Sequence, residues 1–221
     1  MGLHMKALVL GGTKGIGKSI AEKLKNICKT VNAVGSKDID TTSPESVKKF
    51  TNTYSEVDVL VLNTGGPPDL ALEDIDDKIW IENFNRLFLS FFNLIREIKV
   101  NKDGYIFLIS SFIIKKPGTE LIISSSLRSG FVSLFKSFSR FKKYSDINFI
   151  NIAPGPIKTE RLVNLLEKEN LTVEEFSKTM PGKVVPEPDE IGLFVEFVVK
   201  NKIKSLNGVT IPFDSNLLEN I

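Results

Sequence analysis

The sequence predicts one α/β domain over residues 1–221, a doubly wound parallel sheet with helices on both faces. Three observations point there. Apolar runs of strand length alternate with segments of helical period from end to end. A glycine-rich turn joins the first strand directly to the first helix. No repeat, low-complexity tract or linker interrupts the pattern.

Ala7–Leu10 reads as a short buried strand. Ile16, Ile20, Leu24 and Ile27 then recur along one helix face. Val31–Gly35 is the second strand. Ser43-Pro44-Glu45 starts the next helix, with serine as cap and proline in the first turn, and Val47 and Phe50 face inward from it. Val57–Leu62 is apolar throughout, as a strand covered on both faces requires. Gly65–Pro68 is a loop. A long helix is expected from Lys78 to about Lys99, burying Trp80, Phe84, Leu87, Phe91 and Ile95. Gly104–Ser110 is the fourth strand, Leu121 to about Tyr144 a second long helix, and Ile147–Ile152 a fifth strand that leads to Pro154-Gly155-Pro156. Residues 161–180 read as helical, Pro188–Lys200 as the last helix and Val209–Phe213 as the last strand. Right-handed crossovers between parallel strands place these helices on both faces.

Composition removes several kinds of chemistry. One cysteine, Cys28, excludes a disulfide framework and a cysteine-rich zinc site. One histidine, His4, excludes histidine metal clusters and leaves little room for a histidine-based triad. Residues 1–4 read as a cloning remnant before a true start at Met5, or as native, and fold reasoning begins after them. With 29 basic and 27 acidic residues the net charge is +2, which makes no case for nucleic acid or an anionic membrane. No apolar stretch reaches the ~20 residues of a membrane span, so the expected compartment is the cytoplasm. Hydroxyls, amides, carboxylates, lysines, arginines and a cofactor remain.

The first strand ends in Leu10-Gly11-Gly12-Thr13-Lys14-Gly15-Ile16-Gly17. Glycines there let backbone amides approach a pyrophosphate, and the helix N-terminus adds partial positive charge. The spacing Gly11-x-x-x-Gly15-x-Gly17 resembles the short-chain dehydrogenase/reductase family, with its Rossmann-type sheet and NAD(P)(H) cofactor. Five further landmarks follow in the family's order. Asp40 before Thr41-Thr42 resembles the acidic residue that holds the adenine. Leu60–Gly65, with Asn63 and Gly65, resembles the family's third conserved strand end. Ile109-Ser110-Ser111 resembles the strand end carrying the catalytic serine. Asn151–Thr159, with Pro154, Gly155, Ile157 and Thr159, resembles the stretch around the nicotinamide. Gly208–Asp214 resembles the closing strand. The resemblance runs from Lys6 to about Asn216. Leu62–Pro68 and the Leu121–Arg128 stretch are most similar to a divergent branch labelled 3-oxoacyl-(acyl-carrier-protein) reductase-like.

The resemblance implies a cofactor held by Gly11, Thr13, Lys14, Gly15, Ile16, Gly17, Ser36, Lys37, Asp40, Asn63, Gly65, Arg128, Pro154, Gly155, Ile157 and Thr159. An acidic residue ending the second strand would bind the adenosine ribose and repel a 2′-phosphate. Gly35-Ser36-Lys37 stands there instead, and Lys14 offers a second charge. Two lysines with Thr13 and Ser36 as donors suit a phosphate, so NADP(H) is favoured over NAD(H). Asp38 keeps NAD(H) open.

The family's chemistry uses a serine, a tyrosine, a lysine one helical turn later and an asparagine on the preceding long helix. Ser111 matches the serine. The tyrosine position is Ser124, the lysine position Arg128 and the asparagine position Leu87, with Asn83 and Asn85 on other helix faces. A phenol of pKa about 10 can be pulled toward neutrality by a neighbouring cation, whereas an aliphatic hydroxyl is a far weaker acid. Arg128 keeps its proton but can donate to a ribose diol, a carboxylate or a phosphate. Ser124 and Arg128 share one helix face. Tyr54, Tyr105 and Tyr144 are all placed away from that face.

Two readings follow. One is an NAD(P)(H)-dependent oxidoreductase for a small carbonyl or alcohol substrate, with a non-standard catalytic set of Ser111, Ser124 and Arg128 and no metal. The other is a non-catalytic dinucleotide-binding homologue, a sensor or partner subunit. By resemblance, residues after Thr159 to about Val185 form a substrate lid carrying Leu162, Leu165, Leu166, Leu171, Phe176 and Met180. The resemblance also implies a homodimer or homotetramer built through the two long helices.

Overall fold

The computed structural model describes residues 4–67 and 69–219. Met1–Leu3 of the N-terminal remnant reading and Pro68 of the predicted loop lie outside the described residues. Six strands form one sheet: β1 Lys6–Leu10, β2 Thr30–Val34, β3 Glu56–Leu62, β4 Lys99–Ile109, β5 Asn148–Pro154 and β6 Val209–Phe213. Their order is β2-β1-β3-β4-β5-β6 and every pairing is parallel. Parallel neighbours need long crossovers, and helices supply them. α1 Gly15–Leu24 and α8 Pro188–Lys200 cover one face, where Ile20, Leu24, Ile191 and Val195 join Val59, Phe107 and Ile150. α2 Pro44–Thr53, α4 Ser90–Glu97 and α5 Ile122–Phe138 cover the other. This is the doubly wound architecture that the alternation predicts.

The strand order reverses beside β1, whose neighbours β2 and β3 lead to opposite edges of the sheet. Loops diverge at such a switch point and leave a crevice at the carboxyl ends of the strands.

Several boundaries differ from the sequence expectation, each with a local cause. The first long helix is α3 Asp77–Phe84, a π-helical turn Asn85–Leu89, and then α4. Ser90 Oγ donates to Arg86 O at 2.6 Å within the widened turn, a back-bond that bends helices. α4 stops at Glu97 because Lys99 is already paired with Glu56 of β3, so β4 begins well before Gly104. Phe84, expected in the core, is 37% exposed and stacks on Phe88 at 5.1 Å instead. α5 ends at Phe138, and Lys142–Tyr144 form a separate 3₁₀ turn. The 161–180 segment divides into α6 Glu160–Lys168 and α7 Val173–Thr179, broken near Asn170 at φ 55°.

Phenylalanines organise the core under α4 and α5. Phe149 of β5 is fully buried, with Phe135 and Tyr144 edge-on to it at 5.2 and 5.6 Å and Phe138 stacked at 6.2 Å. Phe149→Ala is expected to lower the unfolding free energy by about 3–5 kcal/mol. Phe141→Ser, at a side chain 55% exposed, should change it by less than about 1 kcal/mol. Urea denaturation of both variants checks the contrast.

Candidate functional site

A cleft of about 950 Å³ opens along the carboxyl ends of β1, β3, β4 and β5. At one end lies the glycine loop. Gly11 has φ +62°, and a Cβ there would stand 2.6 Å from Asn63 O. A Cβ on Gly17 would stand 2.1 Å from Gly11 O and 2.7 Å from Asn63 Nδ2. Only glycine permits this approach. Asn63, where β3 runs out, donates from Nδ2 to Gly11 O at 3.2 Å and ties the loop to the sheet. Thr13 packs over Gly35, and the α1 amides follow at Gly15 and Ile16.

At the other end lie Ser111, Ser124 and Arg128. Ser111 caps a 3₁₀ turn, its Oγ accepting from Ile113 N at 3.5 Å. Arg128, only 9% exposed, crosses from α5 to the end of β4. It donates from Nε to Ser124 Oγ at 3.2 Å and from Nη1 to Ile109 O and Ser110 O at 3.3 and 3.4 Å. Burial, with the like charge of Arg161 second, pulls its guanidinium down to about 10. It therefore keeps its charge at neutral pH. The i, i+4 spacing read from the sequence is what joins Ser124 to Arg128.

Most of the predicted residues line this one cleft: Gly11, Thr13, Lys14, Gly15, Ile16, Ser36, Asn63, Gly65, Ser111, Ser124, Arg128, Pro154, Gly155, Ile157 and Thr159. Gly17 sits behind the loop as its packing partner. Lys37 and Asp40 do not line it. Asp40 Oδ1 accepts from Thr42 N and Thr42 Oγ1 at 2.9 and 2.7 Å, and these bonds hold the carboxyl below the usual range. Asp38 also turns away, accepting from Gly35 N at 2.8 Å. Leu162 and Leu165 of the expected lid line the cleft, whereas Leu166 and Met180 are buried in the fold.

Among the described residues, no tyrosine lines the cleft. Tyr105 is buried in β4, six positions before Ser111 and therefore about 20 Å away along the strand. Tyr144 Oη donates to Ile95 O at 3.4 Å, and Tyr54 closes α2. Leu87, in the π-helical turn, packs on Ile123 and Leu127. Asn83 and Asn85 donate to Ile79 O and Thr42 O. Cys28 is buried, which pushes its thiol up to about 11 and leaves it inert.

Sequence reasoning assigned nothing to Arg161. It lies on α6, two residues after the cap Thr159, and lines the cleft opposite Arg128's helix. Its Nη1 is 3.0 Å from where a Gly66 Cβ would be. The available signal was its spacing from Thr159 and the scarcity of arginine, with only Arg86, Arg96, Arg128, Arg140 and Arg161 in the chain. Glu160, also unassigned, meets Lys14 at 3.4 Å across the mouth.

Comparison with known proteins places the chain in a family. Residues 34–170 match the family described as short chain dehydrogenase. The 3-oxoacyl-(acyl-carrier-protein) reductase FabG of Buchnera aphidicola subsp. Baizongia pistaciae is 27% identical, covering 96% of each chain. The uncharacterized oxidoreductase YvaG of Bacillus subtilis is 25% identical over 97% of this chain and 96% of its own. A crystal structure of 3-oxoacyl (acyl-carrier-protein) reductase from Agrobacterium tumefaciens C58 superposes with TM-score 0.84 at 16% identity, covering 96% of this chain and 94% of that one. With its parallel sheet, glycine loop and strand-end serine in place, the chain belongs to the short-chain dehydrogenase family and is similar within it to the 3-oxoacyl-(acyl-carrier-protein) reductases.

Proposed function

We propose that the protein is an NADP(H)-dependent oxidoreductase that interconverts a small carbonyl compound and its alcohol through a non-standard site. The observation that carries this is the single cleft joining the glycine loop to Ser111, Ser124 and Arg128. A dinucleotide fits that loop: Gly11 and Gly15, both at positive φ, turn it tightly along the cleft while Gly17 packs behind. Gly15 and Ile16 present the α1 N-terminus to a pyrophosphate. When bound, the nicotinamide supplies or accepts the hydride.

The chain's own groups do the rest. Ser111 Oγ accepts from Ile113 N–H, which leaves its hydrogen to donate to the substrate carbonyl oxygen. Ser124 Oγ likewise accepts from Arg128 Nε, and its hydrogen has no acceptor among the described residues. In reduction, the proton that the carbonyl oxygen needs passes from solvent water by way of Ser124, since no tyrosine is in reach. Arg128 orients the nicotinamide ribose and the substrate, but relays no proton. Asn63, Gly65, Pro154, Gly155, Ile157 and Thr159 frame the nicotinamide half.

Lys14 and Ser36 on the cleft wall support the choice of NADP(H), as does the NADP named for the Agrobacterium structure. Lys37 and Asp40 sit just outside, at the adenosine end. A homodimer or homotetramer, and a cytoplasmic location, belong to the same proposal. No described helix is long and apolar enough to cross a membrane.

A second reading, a dinucleotide-binding homologue without turnover, is favoured by one observation. Where the family carries tyrosine and asparagine, the chain has Ser124 and an apolar Leu87 cluster. Following NADPH absorbance across a broad carbonyl panel separates the two: oxidation must appear under the first reading and be absent under the second.

Gly17→Ala should abolish NADPH binding and cost about 1–3 kcal/mol of stability, because Gly11 O cannot yield without moving the loop. Fluorescence titration and thermal unfolding measure both effects. Lys14→Ala should weaken NADPH by about 10-fold and leave NADH within about 2-fold in calorimetry. Equal losses for both would remove the 2′-phosphate role. Ser111→Ala should lower kcat by about 100-fold while NADPH affinity stays unchanged.

A further inference from the structure

Arg128 is a buried cation with no carboxylate within ion-pair distance among the described residues. Its acceptors are one hydroxyl and two backbone carbonyls, all neutral. A buried charge left with neutral partners is costly. These neutral acceptors satisfy its donors but leave its charge without a counter-ion.

The rest of the cleft deepens the imbalance. Lys14, Arg128, Arg161 and Lys168 line it, and Glu160 is the acidic residue among the lining. Glu160 is engaged by Lys14 of the glycine loop. The chain as a whole is nearly balanced, with 29 basic and 27 acidic residues. Positive charge is therefore concentrated in the cleft.

Arg161 makes no ion pair among the described residues, although its own helix begins with Glu160. It reaches back over Gly66 instead and lines the same cleft as Arg128. Two like charges that face one cleft are stabilised by an anion between them. The pyrophosphate of a dinucleotide belongs at the glycine loop, and the nicotinamide ribose is an uncharged diol. The Ser111–Arg128 end therefore receives no anion from the cofactor.

We propose that the substrate carries an anionic oxygen group, a carboxylate or a phosphate, which Arg128 and Arg161 receive beside the carbonyl held by Ser111. This rests on the oxidoreductase reading. The Arg161 guanidinium can pair with either group through parallel N–H···O bonds, and Arg128 adds Nη2, the nitrogen that its contacts to Ser124, Ile109 and Ser110 leave free. The lid helix α6 would thus close on the substrate's charge as well as on its shape, since Arg161 rides on it. Leu162 and Leu165 beside it cover the uncharged remainder.

The experiment uses the full chain. NADPH binding to the wild type is measured first by fluorescence. With NADP⁺ saturating, calorimetry then compares pyruvate, 3-oxobutanoate and 4-phenyl-2-oxobutanoate with their ethyl esters, and dihydroxyacetone phosphate with dihydroxyacetone. At least one anion is expected to bind about 10-fold or more tightly than its neutral counterpart. The acids and the phosphate tell the two sources of the charge apart. Arg161→Ala should erase that preference while NADPH affinity holds. Arg161 is on the surface, so the fold is not at stake. Arg128→Lys, which keeps the charge and loses the fork, should reduce the preference. No preference within any pair overturns the inference, as does a variant pattern in which NADPH weakens and the anion does not. Failure of the wild type to bind NADPH is a separate result, which removes the oxidoreductase reading beneath it.

Discussion

One amide contact holds the arrangement together. Asn63 Nδ2 donates to Gly11 O at 3.2 Å, and Gly17 lies so close behind that a methyl group would collide with both partners. Three separate pieces of chain meet there: the turn after β1, the start of α1 and the end of β3. The neighbouring strands β1 and β3 are thereby tied together at their carboxyl ends. The crevice depends on this junction for its shape, because β1 and β3 form its floor. A hydrogen bond worth about 1 kcal/mol on its own gains weight from the close packing around it.

The opposite end of the cleft is organised by a charge rather than by close approach. Arg128 draws Ser124, Ile109 O and Ser110 O around one guanidinium. A lysine could not span those acceptors, since its single ammonium lacks the planar fork. Ser124 and Arg128 both line the cleft, so a hydroxyl and a fixed cation stand side by side at this end.

Much of this was legible in the residues. Strand and helix order followed from period alone, and the glycine spacing located the cleft's first wall. The i, i+4 spacing of Ser124 and Arg128 foretold their contact. What escaped depended on distant partners. β4 starts at Lys99 because β3 offers Glu56 to pair with, a fact no local window contains. The π-helical turn needs the Ser90–Arg86 back-bond, and local propensity makes no distinction between it and an ordinary turn. Arg161 carries only a weak local signal, because its approach to Gly66 joins residues far apart in sequence.

The contact between Lys14 and Glu160 bridges two walls of the cleft. Both groups are exposed, and the pair contributes little to stability. It nevertheless links the glycine loop to the first residue of α6, beside the point where Thr159 rests on Gly15. Two walls of the cleft that are 146 residues apart in sequence therefore meet at its mouth through one solvent-screened charge pair, a contact that added salt weakens while the close packing of Thr159 on Gly15 persists.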